Sequence, residues 1–124
     1  MVKIIMHGCN GHMGQVISGL AAEDPETEIV AGVDPFKGPE NTYPVFANIA
    51  ECDVDADVVI DFSNAMAVDG LLEVCGQRGI PVVLCTTGLS GEQLREVEKT
   101  SARTAVLKSA NMSLGINLLM KLLK

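Results

Sequence analysis

Tryptophan is absent from the 124 residues, and one tyrosine and three phenylalanines leave little aromatic surface. Unpaired bases have few rings to stack on, and 16 acidic residues against nine basic ones give a formal net charge of −7, which repels a phosphate backbone. Nucleic-acid binding is disfavoured on both counts. No apolar run approaches the ~20 residues that span a bilayer, so no membrane partner is expected. The four cysteines, Cys9, Cys52, Cys75 and Cys85, contain no C-x-x-C pair, a usage that fits reduced thiols better than a disulfide framework. Met1 to Met6 carry one lysine and lead into a glycine loop rather than a cleavage site, so a cytoplasmic location is expected. No internal repeat or low-complexity tract appears. What remains is a chain with 48% hydrophobic residues, enough to pack the core of one domain.

Hydrophobic period alternates along the chain between short β-branched runs and longer stretches of helical spacing. Val2 to His7 is apolar on both faces, as a strand inside a parallel sheet must be. Gly8 to Gly14 follows as a loop, and Gln15 to Glu23 places Val16, Ile17, Leu20 and Ala21 at helical spacing before Asp24-Pro25 stops the helix. Glu28 to Asp34 is the second expected strand, Phe36 to Thr42 a loop, and Pro44 to Ala47 a short extra strand. Ala56 to Phe62 is the third strong strand; Ser63 or Asn64 is placed to cap a helix that runs to about Arg78 and ends at Gly79. Pro81 to Thr86 is the next strand, and Ser90 with Gln93 forms a capping box for a helix over Gly91 to Thr100. Thr104 to Lys108 is the last strand, and Leu114 to Lys124 a helix with a wide apolar face. The pattern predicts a single α/β domain over residues 1–124, a Rossmann-like, doubly wound parallel sheet with ligands beyond the carboxyl ends of its strands. The apolar face of the last helix is still running at Lys124, which predicts a natural chain that continues.

The chemistry concentrates in the loops. Gly8-Cys9-Asn10-Gly11-His12-Met13-Gly14 lies between a strand and a helix, the context of a dinucleotide fingerprint, although its G-x-x-G-x-x-G spacing is one step from the usual form. Glycine lets the backbone turn sharply and lets a pyrophosphate approach free helix N–H groups. Asp34, twenty residues after Gly14, ends the second strand, where a carboxylate accepts hydrogen bonds from an adenine-ribose diol. That carboxylate repels a 2′-phosphate, and Pro35 follows it instead of an arginine, so NADH is favoured over NADPH; Lys37 keeps NADPH open. Thr86-Thr87-Gly88 places two hydroxyls at the crevice, suited to a carboxamide or a substrate carboxylate, though an ordinary turn has the same composition. Ser109 to Ser113 carries the same ambiguity. His7, Cys9 and His12 lack a fourth ligand and crowd a phosphate loop, so no metal is expected. Cys9 reads as a small side chain in a tight loop rather than a redox thiol.

The succession G-C-N-G-H-M-G, V-D-P, V-V-I-D-F-S-N, C-T-T-G-L-S and K-S-A-N-M-S-L-G-I-N-L-L resembles, over nearly the whole chain, the amino-terminal cofactor-binding domain of the dihydrodipicolinate reductase family. The pairing of T-T-G with S-A-N-M-S-L-G-I-N is far more specific than the glycine loop. The resemblance implies hydride transfer from NADH or NADPH to a cyclic imine dicarboxylate in lysine and diaminopimelate synthesis. It assigns Gly8, Cys9, Asn10, Gly11, His12 and Met13 to the pyrophosphate and Asp34 to the adenine ribose. Cys85, Thr86 and Thr87 with Ser109, Ala110, Asn111 and Met112 fall at the nicotinamide end, and Thr87 also at a substrate carboxylate. His12 stands where many members have arginine and Cys85 where many have glycine, departures that bear on phosphate preference.

The family's catalytic motif, a histidine pair followed by a lysine and D-A-P-S-G-T, is not found in these residues. The resemblance therefore implies a carboxyl-terminal substrate domain as partner, residues 113–124 as the start of an inter-domain helix, and a homotetrameric full-length protein. The chain on its own is expected to bind cofactor without catalysis. A non-catalytic dinucleotide sensor, the cofactor domain of another two-domain dehydrogenase, and an interaction protein using the last helix are the competing readings.

Overall fold

The computed structural model describes residues 2–36, 38 and 41–108. Six strands form one parallel sheet: β1 (Val2–His7), β2 (Thr27–Val33), β3 (Val45–Phe46), β4 (Val58–Asp61), β5 (Val82–Leu84) and β6 (Val106–Lys108). Their order across the sheet is β3-β2-β1-β4-β5-β6. The chain winds outward from β1 in one direction and from β4 in the other, so the crevice of a doubly wound sheet falls between the carboxyl ends of these two strands.

Side-chain alternation divides the core into two layers. Ile4, Met6, Ile60 and Val83 lie on one face with Ile17 of helix α1 (His12–Glu23). Ile5, Val59, Val82 and Leu84 lie on the other with Val68, Leu71, Leu72 and Cys75 of α2 (Ala65–Arg78), and Val97 of α3 (Gly91–Ser101) packs against this layer. Burial of both faces explains why β1 reads as a continuous apolar run. A 3-10 turn at Ile49–Glu51 buries Ile49 against the α2 side.

Several boundaries move from those expected. Helix α1 starts at His12, three residues before Gln15, because the Gly11 carbonyl already accepts the Gln15 N–H at 3.0 Å. Strand β4 is shorter than the run Ala56 to Phe62, and β5 covers only Val82–Leu84 of the run Pro81 to Thr86. Ser90 and Gln93 form the full capping box, and Gly79 closes α2 at φ 68°. Asn64 occupies the N-cap of α2 without a side-chain cap bond, and the Ser63 hydroxyl turns to Asp61 instead. The expected helix Leu114 to Lys124 lies outside the described residues.

Glycines hold the first turn together by close approach. Gly8 has φ +87°, and a Cβ there would sit 2.5 Å from the Phe62 carbonyl oxygen. A Cβ on Gly14 would sit 2.3 Å from the Gly8 oxygen, whereas one on Gly19, further along the same helix, meets nothing within 4 Å. Gly14→Ala is therefore expected to destabilise the domain by about 2 kcal/mol, and Gly19→Ala to stabilise it by about 1 kcal/mol. Urea unfolding of the two variants checks both signs.

Candidate functional site

The loop from β1 to α1 and the loop after β2 form one hydrogen-bonded unit. The Asn10 amide donates to Asp34 Oδ2 at 3.1 Å, and the Phe36 amide donates to Asp34 Oδ1 at 2.9 Å. The Asn10 side chain donates to the Phe36 carbonyl at 2.7 Å and accepts from Asn41 at 2.9 Å, while Gln15 Nε2 donates to the Cys9 carbonyl and to Asn41. Both Asp34 oxygens thus receive one N–H each, and a carboxylate has about four acceptor positions, so lone pairs remain for a diol.

Gly11 is exposed and has φ −75°, and a Cβ there would lie 3.5 Å from the Gly8 oxygen, an ordinary contact. Neither packing nor backbone angle requires glycine at this position. No side chain caps α1 and its first turn carries no acidic residue, so its positive end is open to an anion. His12 is exposed and Met13 half-buried. The Cys9 side chain turns inward to the core, and a Cβ on Gly32 would meet its Sγ at 2.6 Å. Cys9 can therefore meet a ligand only through its backbone, while its Sγ donates to Asn10 Oδ1 at 3.7 Å within the loop.

Across the crevice, the expected pair of threonine hydroxyls separates. Thr87 is exposed, but Thr86 is buried and donates its hydroxyl to Asp61 Oδ2. Cys85 belongs to the core on the α1 side of the sheet. Asp61, at 0% exposure, is the centre of a cluster that sequence reasoning missed. Its Oδ1 is 2.7 Å from His7 Nδ1 and accepts from the Ser63 amide and hydroxyl. Parallel register places His7 directly beside Asp61. A polar residue at the end of two adjacent apolar strands was the available signal, but the pairing itself spans 54 positions. Ser109, Ala110, Asn111 and Met112 lie outside the described residues. Among the described residues no three His, Cys, Asp or Glu side chains gather as a metal cluster, and no helix is long and apolar enough to cross a membrane.

Comparison with known proteins places this geometry in a family. The family described as dihydrodipicolinate reductase, N-terminus, matches residues 2–112. The chain is 50% identical over 124 residues to the 4-hydroxy-tetrahydrodipicolinate reductase of Caldanaerobacter subterraneus subsp. tengcongensis and equally to that of Clostridium novyi, covering 100% of this chain and 49% of each relative. It thus spans about half the length of the curated relatives it matches. A dipicolinate-bound dihydrodipicolinate reductase from Paenisporosarcina sp. TG-14 superposes with TM-score 0.76 at 24% identity, over 98% of this chain and 52% of that one, and shows the shared fold.

The buried thiols of Cys9, Cys75 and Cys85 are protonated at neutral pH. Burial, followed by the Asp34 charge, pushes Cys9 from 9.0 up to about 11, and burial pushes Cys75 to about 12 and Cys85, with Asp61 adding, to about 11. A reactive thiolate needs the opposite shift, so Cys9 is a packing residue. Because these thiols ionise at higher pH in the folded chain than in the unfolded one, their contribution to stability is complete below about pH 9 and is lost as pH rises through 11 to 12. The thermal midpoint is expected to fall steadily above about pH 9; a flat profile up to pH 11 contradicts the assignment.

Proposed function

The chain belongs to the dihydrodipicolinate reductase family, and on that footing we propose that residues 1–124 are the NAD(P)H-binding domain of a 4-hydroxy-tetrahydrodipicolinate reductase. The observation that carries this reading is the open amino-terminal end of α1, beneath a glycine that packing does not demand and beside a carboxylate with spare lone pairs. The pyrophosphate then lies on the backbone of Gly8, Cys9, Asn10, Gly11, His12 and Met13. Backbone amides suit this acidic chain, because they neutralise an anion without a cationic side chain. Asp34 accepts the adenine-ribose hydroxyls, and its charge disfavours a 2′-phosphate, so NADH is preferred to NADPH.

Cys85 through its backbone, Thr86 through the turn it anchors, and Thr87 through its exposed hydroxyl form the nicotinamide end with Ser109 to Met112. Thr87 also meets a substrate carboxylate. The reduced nicotinamide supplies the hydride that converts 4-hydroxy-tetrahydrodipicolinate, with loss of water, to tetrahydrodipicolinate. The groups that move protons belong to the family's second domain, which residues 113–124 lead into, and the working enzyme is a cytoplasmic homotetramer.

Calorimetric titration with NADH and NADPH tests the reading. NADH is expected to bind saturably and more tightly than NADPH, and no turnover is expected from these 124 residues alone. Asp34→Ala is expected to weaken NADH by about tenfold or more, the scale of one lost charge-assisted hydrogen bond, and Gly11→Ala by a similar factor because its Cβ stands where the pyrophosphate approaches. A folded chain that binds neither dinucleotide overturns the proposal.

A further inference from the structure

Asp61 has no place among the cofactor contacts proposed above, although it lies fully buried at the crevice. Every group around its carboxylate is a donor: His7 Nδ1 at 2.7 Å, the Ser63 amide at 3.2 Å, the Ser63 hydroxyl and the Thr86 hydroxyl. Thr86 Oγ1 in turn accepts the Ser63 amide at 3.1 Å. A carboxylate, accepting on both oxygens, satisfies the whole set without requiring any hydroxyl to turn. The Thr86 end matters most, because the chain turns immediately beyond it. Gly88 has φ +75° and Thr87 is exposed, so the turn emerges from a root that Asp61 fixes.

We propose that Asp61 is a positioning residue for the nicotinamide half of the dinucleotide. It holds Thr86 so that the Thr87-Gly88 turn is set before ligand arrives, and it does not touch the cofactor itself. Rigid placement of a contacting group by a buried, fully bonded neighbour raises affinity by removing an ordering cost from binding. The adenine and pyrophosphate half is anchored separately. Gly8 donates its amide to the Val33 carbonyl at 2.7 Å, His7 receives the Phe62 amide on its carbonyl at 3.0 Å, and Asp34 holds Asn10. Loss of the carboxylate therefore leaves the phosphate loop on its main-chain bonds.

The inference rests on the dinucleotide reading, and two ligands separate their fates. NADH carries the nicotinamide, whereas ADP-ribose carries only the adenosine, the pyrophosphate and the second ribose. Asp61→Asn removes the charge and one of the two acceptor oxygens on which these donors converge, and NADH is expected to bind about tenfold or more weakly while ADP-ribose stays within about twofold of the unaltered chain. Equal losses for both ligands, or no loss for either, overturn the positioning role. If the unaltered chain binds neither ligand, the dinucleotide reading fails and this inference with it. Should Asp61→Asn not fold, Thr86→Val against Thr86→Ser decides by the same criterion: valine selectively loses NADH and serine, which keeps the hydroxyl, retains it. Serine losing as much as valine overturns the role.

Discussion

A carboxylate at 0% exposure is the constraint around which the crevice is built. Removing an ion of this size from water costs several kcal/mol even after relaxation, and the cost is offset only where donors occupy its lone pairs. Asp61 is supplied from three directions: His7 at the end of β1, Ser63 just beyond β4, and Thr86 just beyond β5. The carboxyl ends of the three central strands are thereby tied to one point. In a doubly wound sheet these ends carry the ligand loops, and the loop this interaction roots directly is the one beyond Thr86.

The glycine loop is held beside this point by main-chain contact and does not depend on the carboxylate. Gly8 lies against the Phe62 carbonyl, which directly follows Asp61, and Gly14 lies against Gly8. Neither closeness survives a Cβ. The loop also reaches the other half of the sheet through Asn10 and Asp34, so the phosphate loop, the end of β2 and the end of β4 form one continuous surface. Gly11 alone among these positions is free of such demands, and that freedom separates glycines required by folding from a glycine available for a ligand.

Much of this was legible in the sequence because it is local. Strand β1, the capping box at Ser90 and Gln93, the stop at Gly79 and the short strand at Val45 each follow from a few neighbouring residues. The start of α1 was misplaced because glycine at an N-cap carries no side-chain signal, and the loop composition of His12 to Gly14 conceals helical backbone. The Asp61 cluster was illegible for a different reason. Ser63 carries a capping signature, Thr86 a turn signature and His7 looks like a strand terminus, and their shared partner appears only when β1, β4 and β5 are set side by side. A side chain satisfied across the sheet abandons its local role, as Ser63 does in leaving the start of α2 uncapped.

A second concavity lies away from the crevice. A groove of about 660 Å³ runs between α2 and α3, lined by acidic Asp69, Glu73, Glu92 and Glu96 and by basic Arg95, Lys99 and Arg103. Its charges of both signs are arranged as on a solvated helix surface, and the Glu96 and Lys99 ion pair, at 3.4 Å and largely exposed, is of the kind that contributes little. Nothing there converges on a common point. The crevice presents the opposite case: backbone amides, a half-engaged carboxylate and an exposed threonine lie at the carboxyl ends of neighbouring strands. For a long, flexible, doubly charged ligand laid across strand ends, directed hydrogen-bonding capacity is the more informative quantity, because affinity comes from placed donors and acceptors and the ligand supplies its own length.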